Sequence, residues 1–325
     1  MNVRPPLPPE LSGRSFAIRE ARSAGVGRSR LAAADLVAPT RGIRVPWGVA
    51  MTPAEIVRPV LALMPDAVAS FTTAARIWGF PLPLSQERDS AIHVTRPSRT
   101  PGSIRPGVVC HRMRLSEADI LVADGVPITS RERTWLDLAS VLPHEYVVAI
   151  GDFLVCEHPR GFPVPREPLV GIEALRAFVE SRRRVRGLPA ARAALDLVRV
   201  GSDSVPETLL RLAEAEAGLP EPTLNYVIRT PDGRPVAWPD QAFVGPRLAL
   251  QYDGEHHRSA EQQARDNWRN RGVADVGWDQ LIVSAADVAR RGWDGVAELV
   301  RARLSRLEAQ GVGSSRSPHP RELLG

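Results

Sequence analysis

Two short apolar runs flanked by acids constrain this chain more than any other feature. From Pro239 to Arg269 it reads PDQAFVGPRLALQYDGEHHRSAEQQARDNWR, with Asp240 beside the first run, Gly245-Pro246 between the runs, and Asp253 just past the second. Apolar runs this short, bounded by Gly and Pro, read as neighbouring strands. Paired across Gly245-Pro246, they bring both acids to one rim of a sheet. Residues two apart on a strand share a face, so Gln251 and Asp253 project together while Tyr252 points away.

Such a rim suits a hard divalent cation, which takes a few carboxylate or amide oxygens plus waters at about 2.0–2.1 Å. Asp240, Gln251 and Asp253 offer two acids and an amide, and Mg²⁺ or Mn²⁺ is the expected cofactor. Gly254 permits a close backbone approach or a positive-φ turn directly afterwards. His256 and His257 come next, and a histidine beside a metal can position or deprotonate the attacking water. Asp266 and Arg269 are three apart on the next expected helix and share a face. They form either a structural ion pair or a device that orients the histidine and grips phosphate. Glu207 opens another expected helix in Ser204-Val205-Pro206-Glu207. A Glu there ordinarily serves the helix dipole, and it joins the ligand set only if that helix start packs over the same rim.

Composition removes several classes of function. The 325 residues suffice for two or three domains. No run approaches the roughly 20 apolar residues that cross a bilayer, and MNVRPPLPPE lacks the apolar core of a secretory signal. Cys110 and Cys156 are the only cysteines and make no CxxC. No disulfide framework or thiolate zinc site is expected, and a reducing cytoplasm is the expected location. The net charge of +5 is carried by arginine alone, since the chain contains no lysine. That charge is compatible with a polyanionic partner such as DNA. Without lysine, any mechanism that needs a catalytic or Schiff-base lysine is excluded, and so is the usual third residue of an E-x-K nuclease motif. There is no P-loop and no GxGxxG, so nothing supports ATP- or NAD-dependent activity.

Caps and breaks set the organisation of the chain. Residues 1–14 are Pro-rich at their start and expected to be disordered. Residues 15–160 read as an α+β domain. It opens with a helical pattern from Ser15 to about Leu36 and a strand-turn-strand up to Val45, either a reduced winged helix or an N-terminal cap on the rest of the domain. Thr52-Pro53-Ala54-Glu55 supplies an N-cap, a first-turn proline and a capping-box acid for a helix to Leu63. A helix from Ser70 to Trp78, strands at Ile92–Thr95 and Val108–His111, a helix over Thr129–Leu142 and an apolar helix or buried strand at Tyr146–Val155 complete the domain. Residues 161–203 read as linker and helices, with an Arg182-Arg183-Arg184-Val185-Arg186 cluster on a solvated face or meeting phosphates. Residues 204–308 alternate helix and strand, with strands Leu224–Ile228 and Pro235–Phe243 joined by the Pro231-Asp232-Gly233 turn. Strand Leu248–Tyr252, helix Glu261–Ala274, strand Gln280–Val283 and helix Ala285–Leu307 come after them. The tail, 309–325, is expected to be disordered.

Residues from about 204 to 290 resemble the DUF559 family, related to the very-short-patch-repair endonucleases in the PD-(D/E)XK, restriction-endonuclease-like superfamily. The resemblance rests on Ser204/Pro206/Glu207, Gly218-Leu219-Pro220-Glu221-Pro222, Asp240, Gln251-Tyr252-Asp253-Gly254, His257-Arg258, Asp266, Arg269 and Gly277-Trp278. It implies an α/β restriction-endonuclease-like C-terminal domain. Asp240 would be the central metal ligand, Asp253 would stand at the third position of the E-x-K-like pair, and His257 would be the motif histidine. Gln251 departs from the pattern, because such relatives usually carry Glu there. It keeps an oxygen ligand and removes a charge. Residues from about 40 to 155 resemble the AbiEi-type antitoxin family through Ser70-Phe71-Thr72-Thr73-Ala74-Ala75, Trp78-Gly79, Ile92-His93-Val94-Thr95, His111-Arg112, Pro127-Ile128-Thr129-Ser130, Arg133-Thr134 and Asp137-Leu138-Ala139. That resemblance implies a cognate toxin protein as partner.

The function expected from the sequence is Mg²⁺-dependent hydrolysis of a DNA phosphodiester, in defence or repair. Asp240, Gln251, Asp253 and Glu207 would hold metal, His257 would handle water, and Arg258 and Arg269 would offset phosphate charge. The alternative is a non-catalytic DNA-binding or antitoxin-like regulator built on a decayed nuclease fold.

Overall fold

The computed structural model describes residues 5–97, 105–158, 162–254 and 272–311. It is a mixed α/β chain with several small sheets, in the α+β class. The chain forms two compact units, one made of Met1–Gly151 and Val170–Leu197, the other of Asp152–Leu169 and Val198–Gly325.

The first unit begins with α1 (Pro9–Ser12), β1 (Phe16–Ala17), α2 (Ile18–Ser23), α3 (Arg28–Leu31), β2 (Leu36–Val37) and β3 (Ile43–Pro46). The strands form an antiparallel sheet in the order β1-β3-β2. The single helix expected from Ser15 to Leu36 is therefore corrected to a strand and two short helices. Phe16 pairs with Arg44, and Gly25 and Gly27 interrupt the helical run. Leu11, Phe16, Ala21, Val26, Leu31 and Leu36 make this module's core, so part of the N-terminal stretch expected to lack structure is packed.

α4 (Pro53–Ala62) starts as its sequence requires. Thr52 Oγ1 accepts from the Glu55 N–H, and the Glu55 carboxylate accepts from the Thr52 N–H at 2.8 Å. Replacing Thr52 with Ala is expected to cost about 1 kcal/mol, read as a lower urea midpoint with an unchanged slope.

A five-stranded sheet comes next, in the order β6-β5-β4-β8-β7. It is built from β4 (Val68–Ala69), β5 (Ile92–Arg96), β6 (Val108–Arg112), β7 (Ile120–Ala123) and β8 (Val126–Thr129). Only β5 and β6 are legible as strands in the sequence. The β7–β8 hairpin turns on Asp124-Gly125, both at positive φ (49° and 73°), the two-residue turn that Asp-Gly favours. α5 (Phe71–Trp78) stops at Gly79, whose φ of 71° closes the helix in the left-handed region. After the single-turn α6 (Leu84–Glu87) and the sheet come α7 (Arg131–Leu138) and α8 (His144–Val155), the latter resolving the helix-or-strand alternative as a helix.

α9 (Ile172–Ser181) and α10 (Leu188–Leu197) belong to the first unit. Gly187, at φ +84°, sits so close to α7 that an added Cβ would lie 2.9 Å from the Leu136 carbonyl oxygen. Of the arginine cluster, Arg182 is not a phosphate ligand in waiting. It bonds buried Asp119 at 2.6 Å and lies over the Phe178 ring.

The second unit contains α11 (Val205–Glu216), a β9 (Ile228–Arg229)/β10 (Pro235–Ala237) ribbon, and a sheet of β11 (Gln241–Phe243), β12 (Leu248–Asp253) and β13 (Asp279–Ser284). The long helix α12 (Ala285–Ala309) closes it, broken once where Gly292 leaves helical geometry. The single strand expected over Pro235–Phe243 is corrected to two strands in different sheets. Pro239 has no N–H to give a ladder, and the chain changes partner there. The expected strand over Leu224–Ile228 reduces to β9 and a bridge from Thr223 to Ala242. Leu210 of α11, Leu248 and Leu250 of β12 and Val296, Val300 and Leu304 of α12 form the core. Among the described residues no helix is long and apolar enough to cross a membrane.

Candidate functional site

The second unit's sheet gathers acids at one edge. β11 runs antiparallel to β12 with Gln241 opposite Leu250, which brings Asp240, one residue earlier, alongside the Gln251–Tyr252 step. Asp240 Oδ2 accepts the Tyr252 backbone N–H at 2.6 Å, tying the carboxylate to the outer end of β12. β12 and β13 are parallel, with Gln251 beside Ile282 and Asp253 beside Ser284, the N-cap of α12. Leu248, Leu250 and Tyr252 pack with the helices, whereas Ala249 packs with Ile228, Ala237 and Val273. Strand alternation therefore assigns Gln251 and Asp253 to the Ala249 face.

The start of α11 reaches the same rim. Ser204 Oγ caps the helix by accepting from the Glu207 N–H. The Glu207 carboxylate folds back, accepting from Ser204 Oγ and from the Asp203 N–H, both at 2.8 Å. Burial pushes the Glu207 carboxyl up to about 8, and the negative charge of Asp240 adds to that rise. Two acids from separate elements thus press on each other at a partly enclosed edge, with the Gln251 amide on the adjoining strand. His257, Arg258, Asp266 and Arg269 lie outside the described residues.

Behind the rim stands a buried polar layer that has no signal in the sequence. Asp152, at the end of α8, accepts from Arg211 Nη2 at 2.7 Å, Thr208 Oγ1 at 2.8 Å and the Arg199 N–H at 2.7 Å. Burial raises its carboxyl, and Arg211 pulls the other way. One turn along α11, Glu214 is fully enclosed, and with its amide turned end for end Gln241 donates to it at 2.6 Å. Burial lifts Glu214 to about 8 against the pull of Arg211.

An acid whose pKa is higher in the folded chain than in the unfolded one holds its proton more tightly when folded. Its contribution to stability is complete below about 4.5 and is lost as pH rises to about 8. Glu214→Gln should flatten that part of the decline, read from urea midpoints at about pH 5, 6.5 and 8.5. A wild-type slope retained in the variant would exclude Glu214 as its source.

A third group joins this region. Cys156 Sγ, His158 Nε2 and an Asp203 carboxylate oxygen lie within 4.8 Å of one another. Burial, and then the Asp203 charge, push the Cys156 thiol up to about 12. The sequence signal is the Cys156-Glu157-His158 spacing, which the CxxC pattern does not cover. The third member arrives from the stretch before α11 and is visible only in the fold.

The fold and this site define a two-unit α+β protein carrying a carboxylate rim and a Cys/His/Asp cluster in its second unit. Two curated proteins of Mycobacterium tuberculosis are similar to it: the uncharacterized protein Rv2248 (strain ATCC 25618 / H37Rv) and the uncharacterized protein MT2308 (strain CDC 1551 / Oshkosh). Each is 29% identical over 229 residues, covering 69% of this chain and 76% of the relative. No family model and no solved structure matches the chain.

Proposed function

We propose that the second unit is a metal-dependent DNA endonuclease domain of the restriction-endonuclease-like kind. The observation that carries this reading is the meeting of two acids from separate elements: Asp240, tied to β12 through the Tyr252 N–H, and Glu207, whose carboxyl is pushed up by burial and then by the Asp240 charge. A divalent cation between them would turn their repulsion into a ligand set. Gln251 and Asp253, on one face of the adjoining strand, would add an amide and a carboxylate oxygen. A hard cation held by these residues would supply Lewis-acid polarisation of a phosphoryl oxygen and activation of water. Asp240 is held for this role by the Tyr252 amide, and Glu207 by the Asp203 amide and the Ser204 hydroxyl. Mg²⁺ or Mn²⁺ is the cofactor proposed.

The test is conversion of supercoiled DNA to nicked or linear forms by the full chain with Mg²⁺ or Mn²⁺, against a chelator control. Gln251→Glu returns the missing negative charge and should raise cleavage by about tenfold, since one charge at the metal is worth at least about 1.4 kcal/mol. Lower cleavage in Gln251→Glu would show that the amide is required as it stands.

A second reading is supported by the N-terminal module. Its order, helix-strand-helix-helix-strand-strand with a β1-β3-β2 sheet, is that of a small winged helix. A DNA-binding or antitoxin-like regulator, with a toxin protein as partner, would use that module and need no metal. DNA binding unchanged by a chelator, with no cleavage under any metal, would favour it.

A further inference from the structure

We propose that Cys156, His158 and Asp203 form a second metal site, separate in chemistry from the carboxylate rim, which takes a zinc-class cation. The donor set is one sulfur, one imidazole nitrogen and one carboxylate oxygen, all within 4.8 Å of one another. Thiolate and imidazole favour zinc-like ions, whereas Mg²⁺ prefers oxygen alone. Asp203 Oδ2 is 2.7 Å from His158 Nε2, and Oδ1 is 3.3 Å from Cys156 Sγ. Ligand atoms around tetrahedral zinc stand about 3.3–3.6 Å apart, given bonds of about 2.0–2.3 Å. To admit the ion, the Oδ2–Nε2 pair must open by about 0.6 Å or more, and Cys156 Sγ, within 4.8 Å of both partners, must lie about 3.3–3.6 Å from each. The fourth position falls to solvent, consistent with an exposed Asp203 and a buried Cys156.

The surrounding contacts orient these groups as ligands. His158 Nδ1 is 2.6 Å from the Val164 carbonyl oxygen, so Nδ1 carries the proton and donates there. That leaves Nε2 aimed at the cluster, the arrangement that fixes the tautomer of metal-bound histidines. Asp203 Oδ1 is held by Arg166 Nη1 at 2.7 Å, and Arg166 is itself anchored by its Nη2 on the Phe153 carbonyl oxygen at 2.9 Å. Oδ2 remains for the ion, as in a monodentate carboxylate whose second oxygen is hydrogen-bonded. The guanidinium charge offsets one of the two negative ligands, so the bonds from sulfur and imidazole must supply most of the affinity. Binding releases two protons to solvent, the Cys156 thiol proton and the Nε2 proton that His158 shares with Asp203, and replaces their hydrogen bond by two metal bonds.

The consequence is structural. The cation joins the segment after α8 to the stretch before α11. Because the Asp203 N–H also holds Glu207, the ion would fix the helix start that carries a rim acid. This proposal does not depend on the nuclease reading, since metal binding here is measured without DNA.

The experiment uses the untagged full chain, stripped with a chelator, kept reduced, and titrated with Co²⁺ as a spectroscopic probe for zinc. The expected result is a thiolate-to-cobalt charge-transfer band in the near ultraviolet that saturates at about one equivalent. Zn²⁺ should displace it, and excess Mg²⁺ should not. The chain has two cysteines, so Cys156→Ser must remove the band and Cys110→Ser must keep it. His158→Gln should weaken Co²⁺ binding by at least about tenfold while circular dichroism is unchanged, and it serves if the buried Cys156 variant fails to fold. A wild-type titration without the band, a band that tracks Cys110, or unaltered affinity in His158→Gln would overturn the site. Each of these outcomes leaves only a His–Asp–Arg hydrogen-bonded cluster.

Discussion

Asp240→Asn is expected to lower metal-dependent DNA cleavage by about two to three orders of magnitude while leaving the fold intact. The size reflects the several kcal/mol of charge stabilisation that a catalytic metal supplies, each 1.36 kcal/mol being worth about a factor of ten. Asparagine retains an oxygen to accept the Tyr252 N–H, so the change removes charge and keeps the 2.6 Å tie to β12. Asp240→Ala removes both and should combine the same loss of cleavage with a lower melting temperature. A readout independent of activity is available at Glu207. The Asp240 charge helps to raise it, so the Glu207 carboxyl should titrate below about 8 in Asp240→Asn. That shift is measurable by carboxyl carbon NMR. Cleavage that persists in both variants would remove Asp240 from the metal site, and a Glu207 titration that does not move would mean the two acids are not neighbours.

The second large effect is on stability. Asp152→Ala leaves the Arg211 guanidinium, in a residue only 4% exposed, without its 2.7 Å counter-ion. Breaking a buried pair by deleting one partner costs about 3–5 kcal/mol, because the remaining charge stays desolvated. Thr208 Oγ1 and the Arg199 N–H lose their acceptor at the same time. The urea midpoint should fall accordingly. Asp152→Ala combined with Arg211→Met should be less damaging than the sum of the two single changes, by about 1–3 kcal/mol in a double-mutant cycle. Strict additivity would mean that the pair is not coupled.

Local chemistry makes much of the chain legible. Thr52-Pro53-Ala54-Glu55 begins a helix in the structure because its cap and its reaching carboxylate are both encoded within four residues. The Leu248–Asp253 strand arises from a short apolar run with polar flanks, and its alternation is enough to place Gln251 and Asp253 on one face. Ser284 and Asp287, which cap α12, are equally local. Phe16–Ala17 reads as helix in the sequence because an isolated pair of apolar residues cannot announce a strand partner more than two dozen residues away, at Arg44 and Ile43. Val68–Ala69 is illegible for the same reason, being a two-residue strand defined by its neighbours β5 and β8.

Residue identity alone names the possible donors: Asp240, Gln251, Asp253 and Glu207 for a hard cation, with no lysine beside them. It also sets which segments begin as helices, since caps and turn residues act within a few positions. Folding in three dimensions is what brings the Asp240 charge to Glu207, sets Asp152 against Arg211, and carries Asp203 to Cys156 and His158. These are contacts between positions distant in the chain, made where burial forces a charge to find a partner or shift its pKa. Burial and long-range partnership depend on how the helices and strands stack, and no local spacing in the chain records them.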